Sequence, residues 1–113
     1  MEIETTIDEE WIVVVLRGDA SEMDGDAWKR LRDGIPWDRG VHLALDLTDA
    51  AGASDRMVET VVGMVADAQG RGGALVVIGM SDDLRARLGS MHVDRYVPEA
   101  ATLAEARARL DSF

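Results

Sequence analysis

The sequence predicts a single α/β domain with a central mixed sheet of about four or five strands and about four helices. Short β-branched or wholly apolar runs alternate along the chain with segments in which apolar residues recur every three or four positions. The run at 74–79 is apolar at nearly every position, which is typical of a strand covered on both faces. The chain has 113 residues, the size of one domain, so residues 1–113 are expected to form it.

Strand-like patterns occur in both halves of the chain. Apolar and polar residues alternate over 3–7 and a β-branched run follows at 11–16, so the two segments predict a hairpin with its turn at Asp8 and Glu9. The other strands are predicted at 41–47, 74–79 and 93–97, the last of them closed by Pro98.

Two helices are predicted, one between the strands at 11–16 and 41–47 and the other between the strands at 41–47 and 74–79. The first ends before Gly34 and Pro36, and its apolar residues stand at helical spacing: Met23, Ala27 and Leu31. The second ends at Gly70 and carries a longer apolar face: Val58, Val61, Val62, Val65 and Ala68.

Two more helices follow the strand at 74–79. Ser81 is a candidate N-cap of the third helix, and the negative charges of Asp82 and Asp83 in its first turn suit the helix dipole. Leu84 and Leu88 are expected to face inward, and Gly89 is expected to end the helix. The segment TLAE at 102–105 is a capping box. It starts a last helix whose inward residues are Leu103, Ala106 and Leu110.

Composition excludes several classes of function. The formal net charge of −10 repels phosphate backbones and anionic lipid heads, so neither nucleic acid nor a membrane is an expected partner, whereas a basic protein surface is. The chain has no cysteine, and its acidic first residues do not resemble a secretory signal. Its apolar stretches are too short to span a bilayer. These features predict a cytoplasmic protein.

Ser54 lies where a predicted strand gives way to a predicted helix, a position similar to the nucleophile elbow of α/β hydrolases. The local sequence GASDR lacks the second glycine of that elbow. Catalysis by this serine also requires a general base within hydrogen-bond reach, and His42 and His92 are the two histidines in the sequence. The simpler interpretation makes His42 a half-buried strand residue and His92 a loop residue, so no catalytic residue is expected.

Two other motifs have a simple structural interpretation. Asp46 and Asp49 bracket Thr48, and they indicate either a cation site or, more simply, loop carboxylates that accept hydrogen bonds from nearby amides. The glycines within 70–73 precede a strand instead of opening a helix, which is the wrong order for a phosphate-binding loop and predicts a helix end with a tight turn. Two histidines without cysteines do not indicate a metal site, so no metal or cofactor is expected.

The methionines and tryptophans have a structural interpretation as well. Met57 and Met64 are seven residues apart on the second predicted helix, where they favour either an adaptable contact surface or core filling. Trp11, Trp28 and Trp37 are spaced irregularly, which indicates packing residues instead of a platform for stacking bases.

Five segments occur in a specific order: LDLT, the loop DAAGA, SDRMV, RGGALVVIGMS and LRARLGSMHVDRYVP. In this order the chain resembles the STAS domain family, which comprises bacterial anti-sigma-factor antagonists and the cytoplasmic domains of sulphate transporters. The resemblance covers nearly the whole chain and is strongest from residue 41 onward. It implies a STAS-like fold and a non-enzymatic protein that regulates transcription by docking an anti-sigma factor or a related regulatory kinase.

The resemblance also concerns the start of the second helix. In that family the serine after a motif aspartate is phosphorylated by a partner kinase. A register without gaps places Ser54 on the aspartate position and Asp55 on the phosphoserine position, while Arg56 and Met57 replace a serine and a glycine. A one-residue gap would put Ser54 on the phosphoserine position, but it would rotate the helix valines by about 100°. The ungapped register therefore implies that Asp55 replaces the regulatory serine.

The resemblance implies that a partner docks on the loop and helix start at 52–59. Asp55 is interpreted either as a permanent charge that partly mimics phosphoserine, or as a residue that caps the helix and complements its dipole. The residues expected to contact the partner are Gly52, Ala53, Ser54, Asp55, Arg56, Met57 and Glu59. The alternative function is a STAS-like accessory domain of a transporter, or a module that binds a small ligand such as a nucleotide or lipid in a pocket near the strand ends.

Overall fold

The computed structural model describes residues 2–8, 11–37 and 40–111, with the side chains of 2–7, 11–37 and 40–108. Within these ranges six strands form one mixed sheet: β1 (Glu2–Asp8), β2 (Trp11–Asp19), β3 (His42–Asp46), β4 (Ala50–Ala51), β5 (Ala74–Ile78) and β6 (Glu99–Ala100). Four α-helices accompany them: α1 (Gly25–Asp33), α2 (Asp55–Gly70), α3 (Asp82–Ser90) and α4 (Leu103–Asp111). The predicted α/β class with four helices is confirmed, and the sheet has one strand more than expected.

The sheet runs in the order β1-β2-β3-β5-β6, and β4 pairs with the end of β2. β1 and β2 are antiparallel, which confirms the predicted hairpin strands, and the other pairs are parallel. Asp8 is the last residue of β1, while the other residue of the predicted turn, at position 9, lies outside the described residues. Because β3 and β5 are parallel, the loops that follow them both leave from the carboxyl-terminal ends of the strands, on the same side of the sheet.

Both faces of the central strands are covered. Leu43 and Leu45 of β3 belong to the larger core cluster, whereas Ala44 between them belongs to a second cluster on the opposite face, together with Ala106 of α4. The side chains of all three β3 residues are fully buried. Burial of a leucine side chain contributes about 1.5–3 kcal/mol, so these alternating contacts hold the helices on both sides of the sheet.

α2 packs on the sheet with the apolar face that its sequence predicts. Val58, Val61 and Val65 are buried, and Val62 is partly buried against the same core. Met64 is also fully buried, which favours core filling over a contact surface for this methionine. In the described part of the chain, no helix is long and apolar enough to cross a lipid bilayer.

The first helix differs from its prediction. Asp24 caps α1 by accepting a hydrogen bond from the amide of Ala27 at 2.8 Å, so Met23 precedes the helix. The fully buried residue of α1 is Trp28, while Ala27 and Leu31 are only partly buried. The predicted end is confirmed, since Gly34 follows the last helical residue.

The prediction of a strand at 93–97 is wrong. That segment contains a 3₁₀ turn, Asp94–Tyr96, and the edge strand β6 begins only after Pro98. Proline lacks an N–H but keeps its carbonyl, and the Pro98 carbonyl accepts a hydrogen bond from the amide of Val77 at 2.9 Å. Pro98 therefore introduces the strand instead of closing it, as is usual for a proline at the start of an edge strand.

One further boundary differs from the prediction, and another agrees with it. Gly89 does not end α3, because the helix continues through Ser90. The last helix begins as its capping box predicts, since the hydroxyl of Thr102 accepts a hydrogen bond from the amide of Glu105 at 3.1 Å. Of its predicted inward residues, Ala106 is buried and Leu103 partly buried, while the side chain of Leu110 lies outside the described residues.

Candidate functional site

The loop between β3 and α2 begins with a turn around Asp46. The carboxylate of Asp46 accepts hydrogen bonds from the amide of Thr48 at 3.0 Å and from its hydroxyl at 2.6 Å. This is the local bonding that an aspartate makes in a turn, and it supports the simpler of the two interpretations of Asp46. No group of three or more candidate metal ligands occurs among the residues that the structure describes.

Gly52 bends the loop toward α2. Its φ of +74° is left-handed, and a Cβ at this position would lie 2.6 Å from a carboxylate oxygen of Asp19. That carboxylate is already held by the amide and hydroxyl of Ser21. The hydroxyl of Ser21 is the main cause that lowers the pKa of Asp19 below its ordinary value, followed by the amide. Gly52 thus lets the loop before α2 approach the end of β2, whatever the role of this glycine toward a partner.

Ser54 is the N-cap of α2. Its backbone is extended, with φ −143° and ψ 165°, and its hydroxyl accepts a hydrogen bond from the amide of Met57 at 3.2 Å. The Ser54 carbonyl accepts the first helical bond, from the amide of Val58. The side-chain cap is therefore Ser54, and the interpretation of Asp55 as the capping residue is wrong. Asp55 is the first helical residue, where its charge complements the helix dipole.

The carboxylate of Asp55 reaches α3. It accepts a hydrogen bond from the guanidinium of Arg87 at 3.0 Å, and the same guanidinium lies 3.5 Å from Asp83. The Asp55 side chain remains 76% exposed and that of Arg87 40% exposed. An exposed pair of this kind contributes about 0–1 kcal/mol to stability. Its main effect is to place a negative charge and an arginine side by side between two helices.

The seven residues expected to contact a partner divide by burial. Ala53 and Met57 are almost fully buried, at 3% and 1% exposure, so their side chains face the core and do not contribute to the surface. Gly52 and Ser54 are half-buried. Asp55, Arg56 and Glu59 are exposed.

Arg56 extends from the start of α2 to the start of α1. Its guanidinium occupies the space where a Cβ of Gly25 would stand. Gly25 is the first residue of α1, and any larger residue there would push the guanidinium away. The accessible surface at the start of α2 is therefore bounded by arginines on both sides, Arg87 toward α3 and Arg56 toward α1.

The structure does not support a catalytic Ser54. His42 begins β3, whereas Ser54 follows the other end of that strand. The His42 ring packs edge-on against Trp11, with 5.5 Å between ring centroids. His92 follows α3 with a φ of 59°, and in the described ranges no hydrogen bond joins either histidine to Ser54. The arrangement required for a serine nucleophile with a histidine base is not formed.

The glycines after α2 form the predicted turn. α2 ends at Gly70, Gly72 has a φ of +81°, and the amide of Gly73 donates a hydrogen bond to the carbonyl of Ala68 at 2.8 Å. A Cβ at Gly73 would overlap the carbonyl oxygen of Val41. The close approach of two backbones explains this glycine without a bound phosphate.

No protein-family model and no curated protein sequence matches the chain. Solved structures do match it. A candidate anti-sigma factor antagonist from Thermotoga maritima has a TM-score of 0.79 at 12% identity, over 96% of this chain and 94% of that one. The anti-sigma factor antagonist SpoIIAA of Bacillus, in its unphosphorylated form, has a TM-score of 0.77 at 16% identity, over 99% and 98%. An anti-sigma-factor antagonist (STAS) domain protein from Planctomyces limnophilus has a TM-score of 0.74 at 16% identity, over 96% and 97%. The chain has the STAS fold.

Within this STAS fold, sequence reasoning missed Arg87 as a neighbour of Asp55. The sequence carries an aspartate four residues before this arginine, a spacing that predicts a pair within one helix. That pair is present, but the contact with Asp55 joins residues 32 positions apart. Such a contact depends on how α2 and α3 pack, so no local signal in the sequence indicates it.

Proposed function

We propose that residues 1–113 act as a single non-enzymatic, cytoplasmic STAS-like domain that regulates transcription by docking an anti-sigma factor or a regulatory kinase. The docking surface consists of Gly52, Ser54, Asp55, Arg56 and Glu59 at the start of α2. Asp55 occupies the position at which the family resemblance implies a phosphorylated serine. The fold supports this proposal, since the solved structures named above are of anti-sigma factor antagonists.

The exposed carboxylate of Asp55 carries the proposal. It stands on the first residue of α2, beside a serine whose hydroxyl already accepts the Met57 amide. A phosphate at this place would bring a charge of about −1.5 to −2 near neutral pH, whereas aspartate brings a permanent −1. We therefore assign to Asp55 the role of a fixed negative charge that weakens partner binding, with the pairing to Arg87 holding it in place.

The test is a binding measurement with the purified anti-sigma factor kinase encoded nearest to the gene of this protein. Asp55→Ser and Asp55→Asn are expected to bind about tenfold more tightly than the wild type, since each removes the charge. Asp82→Ser is the matched control, because Ser81 and Asp82 stand at the start of α3 as Ser54 and Asp55 do at the start of α2. Equal affinities of the wild type and the Asp55 variants would contradict the role of Asp55.

A phosphorylation assay with the same kinase tests the register. Mass spectrometry is expected to find phosphate at position 55 of the Asp55→Ser variant and none on the wild type. Stoichiometric phosphate on Ser54 of the wild type would contradict the register and show that the serine switch persists. Failure of every form to bind or accept phosphate would contradict the proposed class of partner.

A small-ligand function has one observation in its favour. A cleft at the ends of β5 and β6 is lined by Gly79, Arg85, Arg95 and Glu99, in the region where open α/β sheets bind ligands. Within it Arg85 forms an ion pair with Glu99. A rise in melting temperature on addition of a nucleotide or lipid, lost in Arg95→Gln, would favour this function over the docking of a regulator.

A further inference from the structure

β1 leaves an apolar face uncovered at the edge of the sheet. Ile3 and Ile7 stand opposite Leu16 and Ile12 of β2, so all four point to the face that carries α1 and α2. The β2 residues are buried, whereas Ile3 is 41% exposed and Ile7 75% exposed. Ile3 and Ile7 lie on one face of β1, four positions apart with Thr5 between them; apolar residues on one face are typical of a half-buried strand, and here the cover stops at the neighbouring strand.

The uncovered isoleucines form one wall of a groove. α1 and the segment after it form the other wall, with Ala27, Leu31 and Pro36. The groove has a volume of about 380 Å³, enough for several aliphatic side chains. Because this groove runs along the outer strand, an extended chain added beside β1 would place alternate side chains in it.

Among the strands that the structure describes, none pairs with the outer edge of β1. The sheet order places β1 first, with β2 as its neighbour among the described strands. An edge strand presents a row of backbone N–H and C=O groups that pair readily with another extended chain. β1 has seven residues, which is long enough to form several such hydrogen bonds.

The opposite face of β1 is acidic. Glu2 and Glu4 lie there, and Arg17 of β2 contacts both, at 3.6 Å and 3.0 Å. The first ten residues of the sequence contain five acids and no lysine or arginine. The single positive charge of Arg17 therefore neutralises only one of the two negative charges of Glu2 and Glu4. The remaining negative charge would attract basic side chains on an added strand.

We propose that the edge of β1 binds an extended segment of a partner protein in which apolar and basic residues alternate. The apolar residues of that segment fill the groove beside Ile3 and Ile7, while its basic residues lie next to Glu2 and Glu4. Backbone hydrogen bonds to β1 supply affinity, and the two faces select the alternating pattern. This surface does not involve the start of α2, so the inference stands independently of the proposed function.

A second copy of this chain is a poorer occupant. Antiparallel pairing of two β1 strands centred on Thr5 would place Ile3 opposite Ile7, which suits the apolar face. The same register would bring two acidic strands together, since the first ten residues of each chain contain five acids and no lysine or arginine, and like charges on neighbouring strands are destabilising. Each chain also carries a net charge of −10, which opposes self-association.

The test uses two synthetic peptides of equal composition, an alternating one (KVKVKVK) and a block one (KKKKVVV). The ¹⁵N-labelled full chain is titrated with each, and amide signals are followed by NMR. The alternating peptide is expected to shift the β1 signals saturably and to slow their hydrogen exchange, with weaker binding at higher salt. The block peptide is expected to bind at least tenfold more weakly, since it cannot satisfy both faces.

Two variants with equal exposure of the replaced side chain separate specific docking from general attraction. Ile3→Lys lies in the groove and Met91→Lys lies after α3, and both wild-type side chains are 41% exposed. Ile3→Lys is expected to weaken the alternating peptide about tenfold and Met91→Lys to weaken it much less, although each adds the same charge.

Three results would overturn the proposal. One is the same affinity for both peptides, and another is an equal effect of the two variants. The third is a concentration-dependent dimer of the free chain, seen by analytical ultracentrifugation and abolished by Ile3→Lys, which would assign the edge to a second copy.

Discussion

Replacement of Ser54 by alanine removes the side chain that caps α2 and leaves the Met57 amide without its acceptor at 3.2 Å. Loss of an N-cap serine costs about 1 kcal/mol, within a range of about 0.5–2 kcal/mol. For a chain of 113 residues, 1 kcal/mol lowers the melting temperature by about 4 °C. Ser54→Asn keeps an acceptor oxygen and is expected to lose only a few tenths of a kcal/mol.

The assay is urea unfolding followed by tryptophan fluorescence. With a slope of about 1–3 kcal/mol per molar urea, Ser54→Ala is expected to lower the midpoint by about 0.3–1 M. Ser81→Ala is the matched control, since the Ser81 hydroxyl accepts the Leu84 amide at 3.1 Å in the same way. Asp55→Asn loses only a dipole interaction and an exposed ion pair, about 0.5 kcal/mol. An unchanged midpoint for Ser54→Ala, together with a loss of about 1 kcal/mol for Asp55→Asn, would refute the assignment of the cap.

Three other perturbations have clear outcomes. Gly73→Ala is expected to lower the free energy of unfolding, measured in urea, by about 1–3 kcal/mol, because the new methyl group overlaps a backbone carbonyl. Gly70→Ala places its methyl group in open space and is expected to raise the free energy of unfolding slightly. A double-mutant cycle of Asp55→Asn and Arg87→Gln is expected to give a coupling free energy of about 0.2–1 kcal/mol. A larger value would show that this ion pair stabilises the fold more than an exposed pair does. The pKa of Asp19 is lowered in the folded protein, so its carboxylate stabilises the fold at neutral pH and this contribution is lost below about pH 4. Asp19→Asn is therefore expected to reduce the loss of stability between neutral and acid pH. An acid unfolding profile identical to that of the wild type would contradict this.

Periodic segments were predictable from the sequence because their signals are local. The valines of α2 recur at helical spacing, and the apolar run of β5 has the composition of a strand covered on both faces. Ser54 at the beginning of a helix was recognisable as a helix-start residue for the same reason. The error at 93–97 arose because the segment is short, with Val93, Tyr96 and Val97 as its apolar residues, and because a proline signals a strand boundary without saying on which side the strand lies.

Short pairings were not predictable. β4 has only two residues and exists because β2 extends far enough to pair with it, through Gly18 and Asp19. Its alanines carry no periodic signal, so the segment was expected to be a loop. The fold of the site around Gly52 depends on this pairing, since it brings Asp19 next to the glycine.

The sequence by itself determined the four helices and the longer strands β1, β2, β3 and β5, together with which face of α2 is buried and that this helix starts at Ser54 and Asp55. These properties follow from interactions between residues a few positions apart, which every chain with this local pattern makes. Tertiary structure alone decided that Asp55 meets Arg87 and that Ile3 and Ile7 remain uncovered at the edge of the sheet. Alternation of apolar residues shows that a strand has an apolar face, but whether another element covers that face depends on the order of strands and the placement of helices, which distant contacts determine.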